Sequence, residues 1–547
     1  MTTWAVDDYG ALADGTGDTV AEWLVGGKYD RGYADLSAIQ VDHARATSLD
    51  VTIDQVAVLE AFDAATAAAD TDMTLSFGAG VYVMFRMAIT ADQIFLAEGT
   101  SIAIVGAGRT STTIKRADGA LDPLVGSTQP MMQIRSNVPV GTVTVRDLTL
   151  DGNATNNPLS GGDDYEFQHS AGLRIAASNG SSWGAITVTD VGSTDPAADG
   201  IAFVINTATE FLCPLVSVTR FVGANRNRTR ADLQFYPGIA DVQVADCAFT
   251  ALEWEFQGSV TNHCTATITD CTADLMDIAG VTADSLRVAL VRCTNLRTLM
   301  WHVGIDATDC DLGIISDNGG IRDTDACTFT RCTLYSRVTA GVIQPISVTR
   351  EDARDTDLLF VECSFLASDV PTLGTLFAAA TVGGAVTDAH RQRFVACTFD
   401  PRADYAISVN RNGRTQTEGC AFTATGAGVF IGHGSGPYSA EWTSINDSFA
   451  QCPPGGAYLL GSYHADGDQL TTITITGQWQ NAWVPSESVD SVRLVWNKSR
   501  TFVSPDSLDG VDGSVAAGET SVLGDEWPAV WAFDSAANNR WVYQGAA

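Results

Sequence analysis

The hexapeptide Val242-Gln-Val244-Ala-Asp246-Cys247 is the stretch of sequence that decides the fold. Apolar residues alternate with other residues, a polar residue follows, and a cysteine closes the phrase. Alternation with a period of two is typical of a β-strand that packs one face against a core. We call the closing residue of the phrase its anchor.

The phrase recurs along the chain from residue 143 to residue 450. Further instances are Ala266–Cys271, Val288–Cys293, Cys327–Cys332 and Leu358–Cys363. The anchors are Leu148, Val191, Phe221, Cys247, Cys271, Cys293, Cys310, Cys332, Cys363, Cys397, Cys420 and, most loosely, Ser448. One strand phrase per ~20–30 residues, with variable insertions, is the signature of a solenoid.

The segments between phrases show little helical periodicity, so the sequence predicts an all-β fold, a right-handed single-stranded parallel β-helix. Successive anchors would stack about 4.8 Å apart, as neighbouring strands do. A β-sandwich would need hairpin turns at regular short spacing, and that rhythm is missing. We expect an N-terminal motif with a capping helix over residues 1–90, the β-helix over 91–500, and a linker with a small C-terminal β-hairpin or tip module over 501–547.

The chain is strongly acidic, with a formal net charge of −34 at pH 7. Such a surface repels nucleic acid and anionic membranes, which we therefore exclude as partners. A strongly anionic polymer is an unfavourable substrate unless Arg residues or a divalent cation line the site. No stretch approaches the ~18 apolar residues of a membrane span. The N-terminus shows no basic region followed by an apolar run, so no secretory signal is expected.

Eight of the twelve cysteines are anchors. No CxxC pair with a matching second pair occurs, so the sequence predicts neither a zinc site nor any other metal or cofactor. Buried cysteine behaves as a small hydrophobic residue, and stacked inward thiols are expected. The protein should accordingly fold in a reducing cytoplasm.

Residues 6–19 read Val6-Asp-Asp-Tyr-Gly-Ala-Leu-Ala-Asp-Gly-Thr-Gly-Asp-Thr19. This stretch resembles the N-terminal motif of the pectate-lyase-like right-handed β-helix superfamily, except that Gly17 stands where an Asp is usual. Residues 31–56 are similar to an insertion found in bacteriophage tailspikes. The resemblance implies a virion spike, a homotrimer and a host cell-surface polysaccharide as partner.

A helix should follow this motif and close the open end of the solenoid. Thr52 and Gln55 have the spacing of a capping box. An apolar stripe, which would lie across the first coil, is supplied by Val56, Leu59, Ala61, Phe62 and Ala65.

Glycoside hydrolysis requires two carboxyl groups at a set separation. Glu253 lies six residues after Cys247, and Asp277 lies six residues after Cys271. If the two coils match in length, these carboxylates stack on one face about 5 Å apart, which suits a retaining mechanism, or an inverting one if the side chains tilt. We select Glu253, Glu255 and Asp277 as the candidate catalytic set.

A second group of residues is a candidate for binding the sugar chain. Asp199, Glu255 and Trp301 each lie eight residues after an anchor and would form a row. The candidate substrate-binding residues are Asp199, Arg228, Asp232, Trp301 and Glu166, the last within the polar insertion 161–169. An alternative catalytic set combines Asp199, Asp232, Glu166 and Asp164.

The lyases of the superfamily use an Arg or Lys base with calcium held by Asp. Since the central coils contain no lysine, that mechanism would need an arginine such as Arg228 or Arg287. We therefore favour hydrolysis over elimination.

Two functions from different classes stay open. The first is a spike that depolymerises host surface polysaccharide, and the second is a non-catalytic receptor-binding or structural spike of a tail or head. Because the N-terminal motif begins within the first ten residues, attachment to the virion is expected through a short N-terminal segment, a tail, baseplate or capsid adaptor protein, or the C-terminal module.

Overall fold

The structure is a computed structural model of the 547-residue chain. It describes residues 2–85, 93–120, 130–157, 170–177, 181–205, 210–224, 231–254, 263–279, 286–301, 303–314, 321–322, 326–336, 338–339, 342–343, 346–350, 357–367, 373–381, 390–400, 402–410, 413–424, 427–432, 440–452, 458–460, 471–476, 492–496, 500–503, 508–510, 513–515, 520–523, 529–534 and 540–546. The chain forms two compact units, Met1–Arg287 and Val288–Ala547.

The first unit contains the α-helices α1 (Leu36–Asp42) and α2 (Ile53–Ala67) and short 3-10 turns at Val6–Tyr9, Val20–Trp23 and Ala154–Asn156. Its strands are β1 Thr2–Ala5, β2 Asp72–Ser76, β3 Gly80–Met84, β4 Ile94–Phe95, β5 Ser101–Val105, β6 Thr112–Arg116, β7 Met132–Ser136, β8 Val143–Asp151, β9 Leu173–Ala177, β10 Ile186–Thr194, β11 Ile201–Ile205, β12 Cys213–Thr219, β13 Val222–Ala224, β14 Leu233–Phe235, β15 Ile239–Ala245, β16 Ala248–Trp254, β17 Cys264–Thr269 and β18 Thr272–Ala279.

The division between the units falls within β19 Leu286–Val291. The strands of the second unit are β20 Thr294–Trp301, β21 Gly304–Thr308, β22 Asp311–Ile314, β23 Ile321–Arg322, β24 Cys327–Thr330, β25 Thr333–Ser336, β26 Val338–Thr339, β27 Val342–Ile343, β28 Ile346–Arg350, β29 Asp357–Val361, β30 Ser364–Ala367, β31 Leu373–Thr381, β32 His390–Val395, β33 Thr398–Phe399, β34 Ala403–Asn410, β35 Gly413–Glu418, β36 Ala421–Thr423, β37 Ala427–Gly432, β38 Ala440–Ile445, β39 Ser448–Gln451, β40 Tyr458–Leu460, β41 Thr471–Thr476, β42 Val492–Trp496, β43 Arg500–Val503, β44 Leu508–Gly510, β45 Gly513–Val515, β46 Thr520–Leu523, β47 Ala529–Asp534 and β48 Arg540–Ala546.

The strands of the repeated phrase pair in parallel from one coil to the next. In the first unit β8, β10, β12, β15 and β17 stack in this order, with Val145, Val188, Val218, Val244 and Ile268 in one register. In the second unit β24, β29, β32, β35 and β38 do the same. Parallel pairing at a spacing of one coil defines a parallel β-helix, and connections between parallel strands are right-handed in nearly all proteins, so the predicted fold is confirmed.

The residue before each anchor takes a left-handed backbone conformation. Twelve residues in this position have φ between 51° and 62°: Asp147, Asp190, Arg220, Asp246, Asp270, Arg292, Asp309, Arg331, Glu362, Ala396, Gly419 and Asn446. Asp, Asn and Gly accept this conformation more readily than other residues. The polar position of the phrase is therefore the corner at which the coil turns, and we call it the corner residue.

The corner residues show where the last anchor lies. Asn446 has φ 55°, so the anchor position of that coil is Asp447 and the assignment of Ser448 was wrong by one residue. Ser448 pairs instead with Ala421, the residue after the preceding anchor, Cys420. The misassignment arose because a carboxylate is not expected at a buried position, yet Asp447 is only 1% exposed.

The anchors point into the core. All eight cysteine anchors are at most 3% exposed, and none of the twelve cysteines is bonded to another. The prediction of buried, stacked thiols is confirmed. The Sγ of Cys271, for example, donates to the main-chain carbonyl of Thr269 at 3.2 Å, so that the thiol proton is satisfied within its own coil.

Helix α2 covers the first coils as expected. The Thr52 side chain accepts a hydrogen bond from the Gln55 N–H, and the residues of the predicted apolar stripe are all buried. Asp54 accepts N–H bonds from Leu12, Ala13 and Val83, which ties the N-terminal motif and β3 to the helix. The Gly at position 17 has φ 71°, a conformation in which glycine is less strained than the Asp that is usual there.

The C-terminal strands differ in pairing from those of the coils. Strands β47 and β48 are antiparallel, and so are β43 with β46 and β44 with β45. The expected small C-terminal β module is thus present as hairpin-like pairs. The domain boundaries at residues 90 and 500 stay predictions.

Candidate functional site

A polar column runs across six strands of the first unit. Its members occupy one register position on β7, β9, β11, β14, β16 and β18, namely Gln133, Arg174, Ala202, Gln234, Glu253 and Asp277. Glu253 and Asp277 are direct register partners, as the sequence predicted from the equal spacing of both residues to their anchors. We call these six residues the polar column.

The column lies on the face of the strands opposite to its inward-facing sequence neighbours, and within it Gln133, Ala202 and Gln234 are themselves at most 3% exposed. Leu252 and Trp254 flank Glu253 and are buried. Below the column, the rings of Phe203 and Phe235 stack at 5.0–5.1 Å spacing with Trp254 next in line, which fixes the relative register of β11, β14 and β16. The side chains on the other face of these strands are therefore held in place by aromatic packing.

The two acids at the end of the column are partly shielded from solvent. Glu253 and Asp277 are both half-buried. Burial raises the pKa of Asp277 to about 6. A carboxyl group with such a pKa is protonated in a large fraction of molecules near pH 6 and is able to donate a proton.

Arg174 supplies positive charge to the same column. Burial lowers the pKa of its guanidinium, and the neighbouring Tyr236 and Asp199 oppose that shift. Its Nε has no hydrogen-bond partner among the residues that the structure describes. An arginine with an unused donor at a half-buried position is suited to bind a hydroxyl or carboxylate of a ligand.

Asp232, a further candidate residue, bonds the main chain of the neighbouring coil. It is 0% exposed, and its Oδ2 accepts N–H bonds from Thr250 at 2.6 Å and Ala251 at 3.1 Å in the next coil. Burial raises its pKa to about 6, and the negative charge of Asp274 adds to the shift. These contacts join two coils, and a structural role accounts for them.

Asp199 lies at the start of a strand of the first unit. Ile201 pairs with Leu233, which places Asp199 beside Ala231. Because Glu255 lies outside the described residues, the row of Asp199 with Glu255 and Trp301 stays a prediction. Asp199 is also 0% exposed and accepts the Ala231 N–H at 3.4 Å.

Several site residues that the sequence predicts lie outside the part of the chain that the structure describes. Glu255, Arg228, Glu166 and Asp164 are not among the described residues. Trp301 ends β20 in the second unit, where its backbone pairs with Arg322, and its side chain is not described. Arg287 lies in β19.

Sequence reasoning missed Gln133, Arg174 and Gln234. Each stands between two large apolar residues, as in Leu173-Arg174-Ile175 and Leu233-Gln234-Phe235. The same arrangement encloses Glu253 and Asp277. A polar residue between two inward-facing apolar residues was therefore an available signal, but aligning the coils by anchors alone could not detect it.

Within the described part of the chain, no group of three or more His, Cys, Asp or Glu residues is placed to hold a metal ion. No described helix is long and apolar enough to cross a membrane.

No protein-family model matches the sequence, and a search of curated proteins found no match either. Among solved structures, the tailspike gp61 of Pseudomonas phage phi297 is similar at 11% identity, with 86% of this chain and 83% of that chain covered and a TM-score of 0.46. The tailspike gp49 of Pseudomonas phage LKA1 is similar at 12% identity, with 95% and 96% covered and a TM-score of 0.41.

These neighbours are right-handed β-helix proteins. The A-module of the Azotobacter vinelandii mannuronan C-5 epimerase AlgE6 is a further one, at 17% identity, 89% of this chain and 98% of that chain covered, and a TM-score of 0.28. The assignment of a β-helix fold to the present chain rests on the strand pairing in its own structure.

Proposed function

We propose that this protein is a virion spike that binds host surface polysaccharide and cleaves it by glycoside hydrolysis. The observation that carries the proposal is the register pairing of Glu253 with Asp277 on the outer face of adjacent coils. Paired strands place equivalent Cα atoms about 4.8 Å apart, close to the ~5–5.5 Å between carboxyl groups in retaining enzymes.

The environments of the two acids suggest their roles. Burial raises the pKa of Asp277 to about 6, so this group is the better proton donor to the leaving oxygen. Glu253 then acts as the nucleophile that attacks the anomeric carbon. In the second step water attacks the glycosyl-enzyme, and Asp277, now a carboxylate, takes up its proton.

One further member of the polar column supports binding of a sugar chain. The half-buried Arg174 follows the acids along the same register line, whereas Gln133 and Gln234 on that line are at most 3% exposed. A guanidinium group donates hydrogen bonds to sugar hydroxyls. Arg228, Trp301 and Glu166 stay proposed substrate contacts, and Glu255 a proposed catalytic group. Asp199 and Asp232, which the sequence also selected, are 0% exposed, and we propose that they support the site from within the coils.

The location in a virion rests on the similarity of residues 31–56 to an insertion of tailspikes, beside the resemblance of residues 6–19 to the N-terminal motif of the pectate-lyase-like superfamily. The proposal includes a homotrimer, attached by an adaptor protein of the tail, baseplate or capsid, and folding in the host cytoplasm. Light scattering on the purified protein tests the trimer, since one chain has a mass of 57.7 kDa.

The activity is tested by incubating the protein with capsule or lipopolysaccharide of its host. We expect new reducing ends without ultraviolet absorbance from unsaturated products. Glu253→Gln and Asp277→Asn should each abolish them. The matched control is Asp241→Asn on β15, which removes the charge of an acid that bonds Gln243 and Thr265 at the surface.

Two other outcomes of the same incubation would indicate other functions. Unsaturated products would mean a lyase and would refute the roles of Glu253 and Asp277. Glycan binding without any cleavage would identify the alternative, a receptor-binding spike without catalysis.

A further inference from the structure

The second unit carries a groove of about 440 Å³ that is lined by three arginines. We call it the arginine groove and define it by Asp357, Arg391, Arg393, Arg414, Gln416 and Thr443. Its volume lies within the range of small-ligand sites. The groove lies entirely within residues 357–443 and contains none of the residues of the polar column.

The strand register concentrates the arginines. Arg391 pairs with Arg414 on the next coil and with Asp357 on the preceding one, while Arg393 pairs with Gln416. All of these side chains face outward, because the residues between them, Gln392 and Thr415 among others, are buried. Neighbouring strands lie about 4.8 Å apart, so the guanidinium groups share one small surface.

Three arginines and one acid, Asp357, line the groove, and the backbone of Arg414 pairs with that of Glu441 at its edge. Arg393 lies 3.5 Å from Asp357, and both side chains are about half exposed. The Arg391 side chain makes no ion pair or hydrogen bond to the rest of the described chain. Like charges at neighbouring positions repel each other, so an arrangement of this kind in a protein of net charge −34 is better explained by a ligand than by stability.

We propose that the arginine groove binds the carboxylates of an acidic polysaccharide, such as a chain of uronic acids. The planar guanidinium fork matches a carboxylate with two parallel hydrogen bonds. Gln416 and Thr443 are polar groups suited to the sugar hydroxyls between the charges. This binding site goes beyond the proposed hydrolytic site and does not depend on cleavage.

A glycan fits the groove better than a nucleic acid. Duplex DNA carries one charge per about 1.7 Å and needs a long basic surface, whereas this chain has a net charge of −34. The carboxylates in a chain of uronic acids lie farther apart than the phosphates of duplex DNA, so a short basic groove is able to bind them.

The experiment is isothermal titration of the full-length protein with oligogalacturonate, and with maltohexaose as the neutral probe. We expect binding of the acidic probe alone, weakened when the salt is raised from about 50 to about 500 mM. Arg391→Gln should weaken binding about tenfold, and Arg391→Gln with Arg414→Gln about a hundredfold. The single variant suffices if the double variant does not fold, since the Arg391 side chain supports no described contact.

Two control variants separate this site from other effects. Arg331→Gln removes the same charge from an exposed corner of the same unit, where Arg331 pairs with Asp309 at 2.7 Å, and should leave the affinity unchanged. Arg220→Gln removes the same charge from an exposed corner of the first unit, where Arg220 pairs with Asp190 at 2.6 Å, and should also leave the affinity unchanged.

The inference is overturned by any of three results: equal binding of the neutral probe, no effect of Arg391→Gln, or tighter binding of single-stranded DNA. Binding of a sulfated oligosaccharide with no binding of oligogalacturonate would overturn the assignment to carboxylates.

Discussion

Three buried or half-buried aspartates share a raised pKa, yet their contacts give them different tasks. Asp232 accepts two main-chain N–H bonds, and Asp447 accepts bonds from a main-chain N–H and two hydroxyls. Asp277 has only burial as the cause of its shift and lies on the outer face. Burial without fixed partners leaves a carboxyl group available for proton transfer, and this distinguishes Asp277.

The pH dependence of cleavage should follow this group. Because the general acid must be protonated, we expect kcat/KM to fall as pH rises through about 6, the value to which burial raises the pKa of Asp277. Initial rates of reducing-end release across the pH range measure it. A rate that keeps rising to alkaline pH would contradict the role of Asp277 as acid.

Asp447 occupies an anchor position in place of cysteine. It accepts hydrogen bonds from the Ser444 hydroxyl at 2.6 Å, from Thr417 and from the Cys420 N–H at 2.8 Å. The Trp442 indole donates in turn to Thr417 at 3.1 Å. Burial raises the pKa of Asp447 to about 6 and outweighs the hydrogen bonds, which lower it.

This shift predicts the direction in which stability changes with pH. The folded pKa of Asp447 is above the unfolded one, so folding takes up a proton between about pH 4 and 6 and stability falls as pH rises through that window. The Asp447→Asn variant should lack the part of this pH-dependent loss of stability that Asp447 contributes, which is on the order of 3 kcal/mol. Chemical denaturation of the wild type and the variant at several pH values measures the free energy of unfolding. The same pH dependence in both proteins would refute the burial of a proton on Asp447.

The aromatic stack formed by Phe203, Phe235 and Trp254 is the element that holds the polar column. Its rings pack inside the coils directly beneath Ala202, Gln234 and Glu253. A loss of packing there should loosen the register on which the spacing of the acids depends. The stack thus links core packing to the geometry of the proposed site.

Phe235→Ala should lower the free energy of unfolding by about 3–5 kcal/mol and should also lower the cleavage rate. The control is Phe329→Ala, which removes a ring stacked on Phe360 at 5.0 Å in the second unit. We expect it to cost similar stability and to leave cleavage unchanged. Equal losses of activity in both variants would show that the effect is global rather than local.

Prediction from the sequence was successful where a local pattern determines the structure. The alternation in Val242–Cys247 and its repeats predicted the strands, the parallel stacking and the buried thiols. The pairing of Glu253 with Asp277 also followed, because both lie six residues beyond their anchors in coils of matching local length. The position of Asp199 beside Ala231 did not follow, because it depends on loop length, which is not encoded in the phrase.

The polar column was missed for a related reason. Its strands follow the corner, and their register depends on packing between Phe203, Phe235 and Trp254 rather than on sequence spacing. The arginine groove was missed because Arg391 and Arg414 come together only through pairing between coils. Long-range pairing of this kind cannot be read from a single sequence without an alignment of coils.

At the scale of the whole molecule, the reactivity of the twelve free cysteines measures how readily solvent and reagents reach the interior of the coils. All are buried, with exposures between 0% and 7%. Burial also raises the pKa of Cys213 and Cys264 to about 12, which keeps these thiols protonated and unreactive at neutral pH. The stacked coils should therefore protect the thiols as long as the fold persists.

The native protein should react with less than about one equivalent of Ellman's reagent, whereas the denatured chain should react with twelve. The reducing agent dithiothreitol should not change the melting temperature, since no described cysteine is bonded to another. Rapid labelling of several thiols in the native state would show that the coils open far more readily than their burial implies.

The corner residue has a consequence for how such a molecule can evolve. Its left-handed conformation is the same whether the residue is Asp, Arg, Glu, Ala, Gly or Asn, and its side chain is exposed or partly exposed. A substitution there alters the charge of one coil while its anchor and strand stay in place. Related lineages should therefore vary in charge at the corners, so that selection can alter the surface coil by coil without passing through misfolded intermediates.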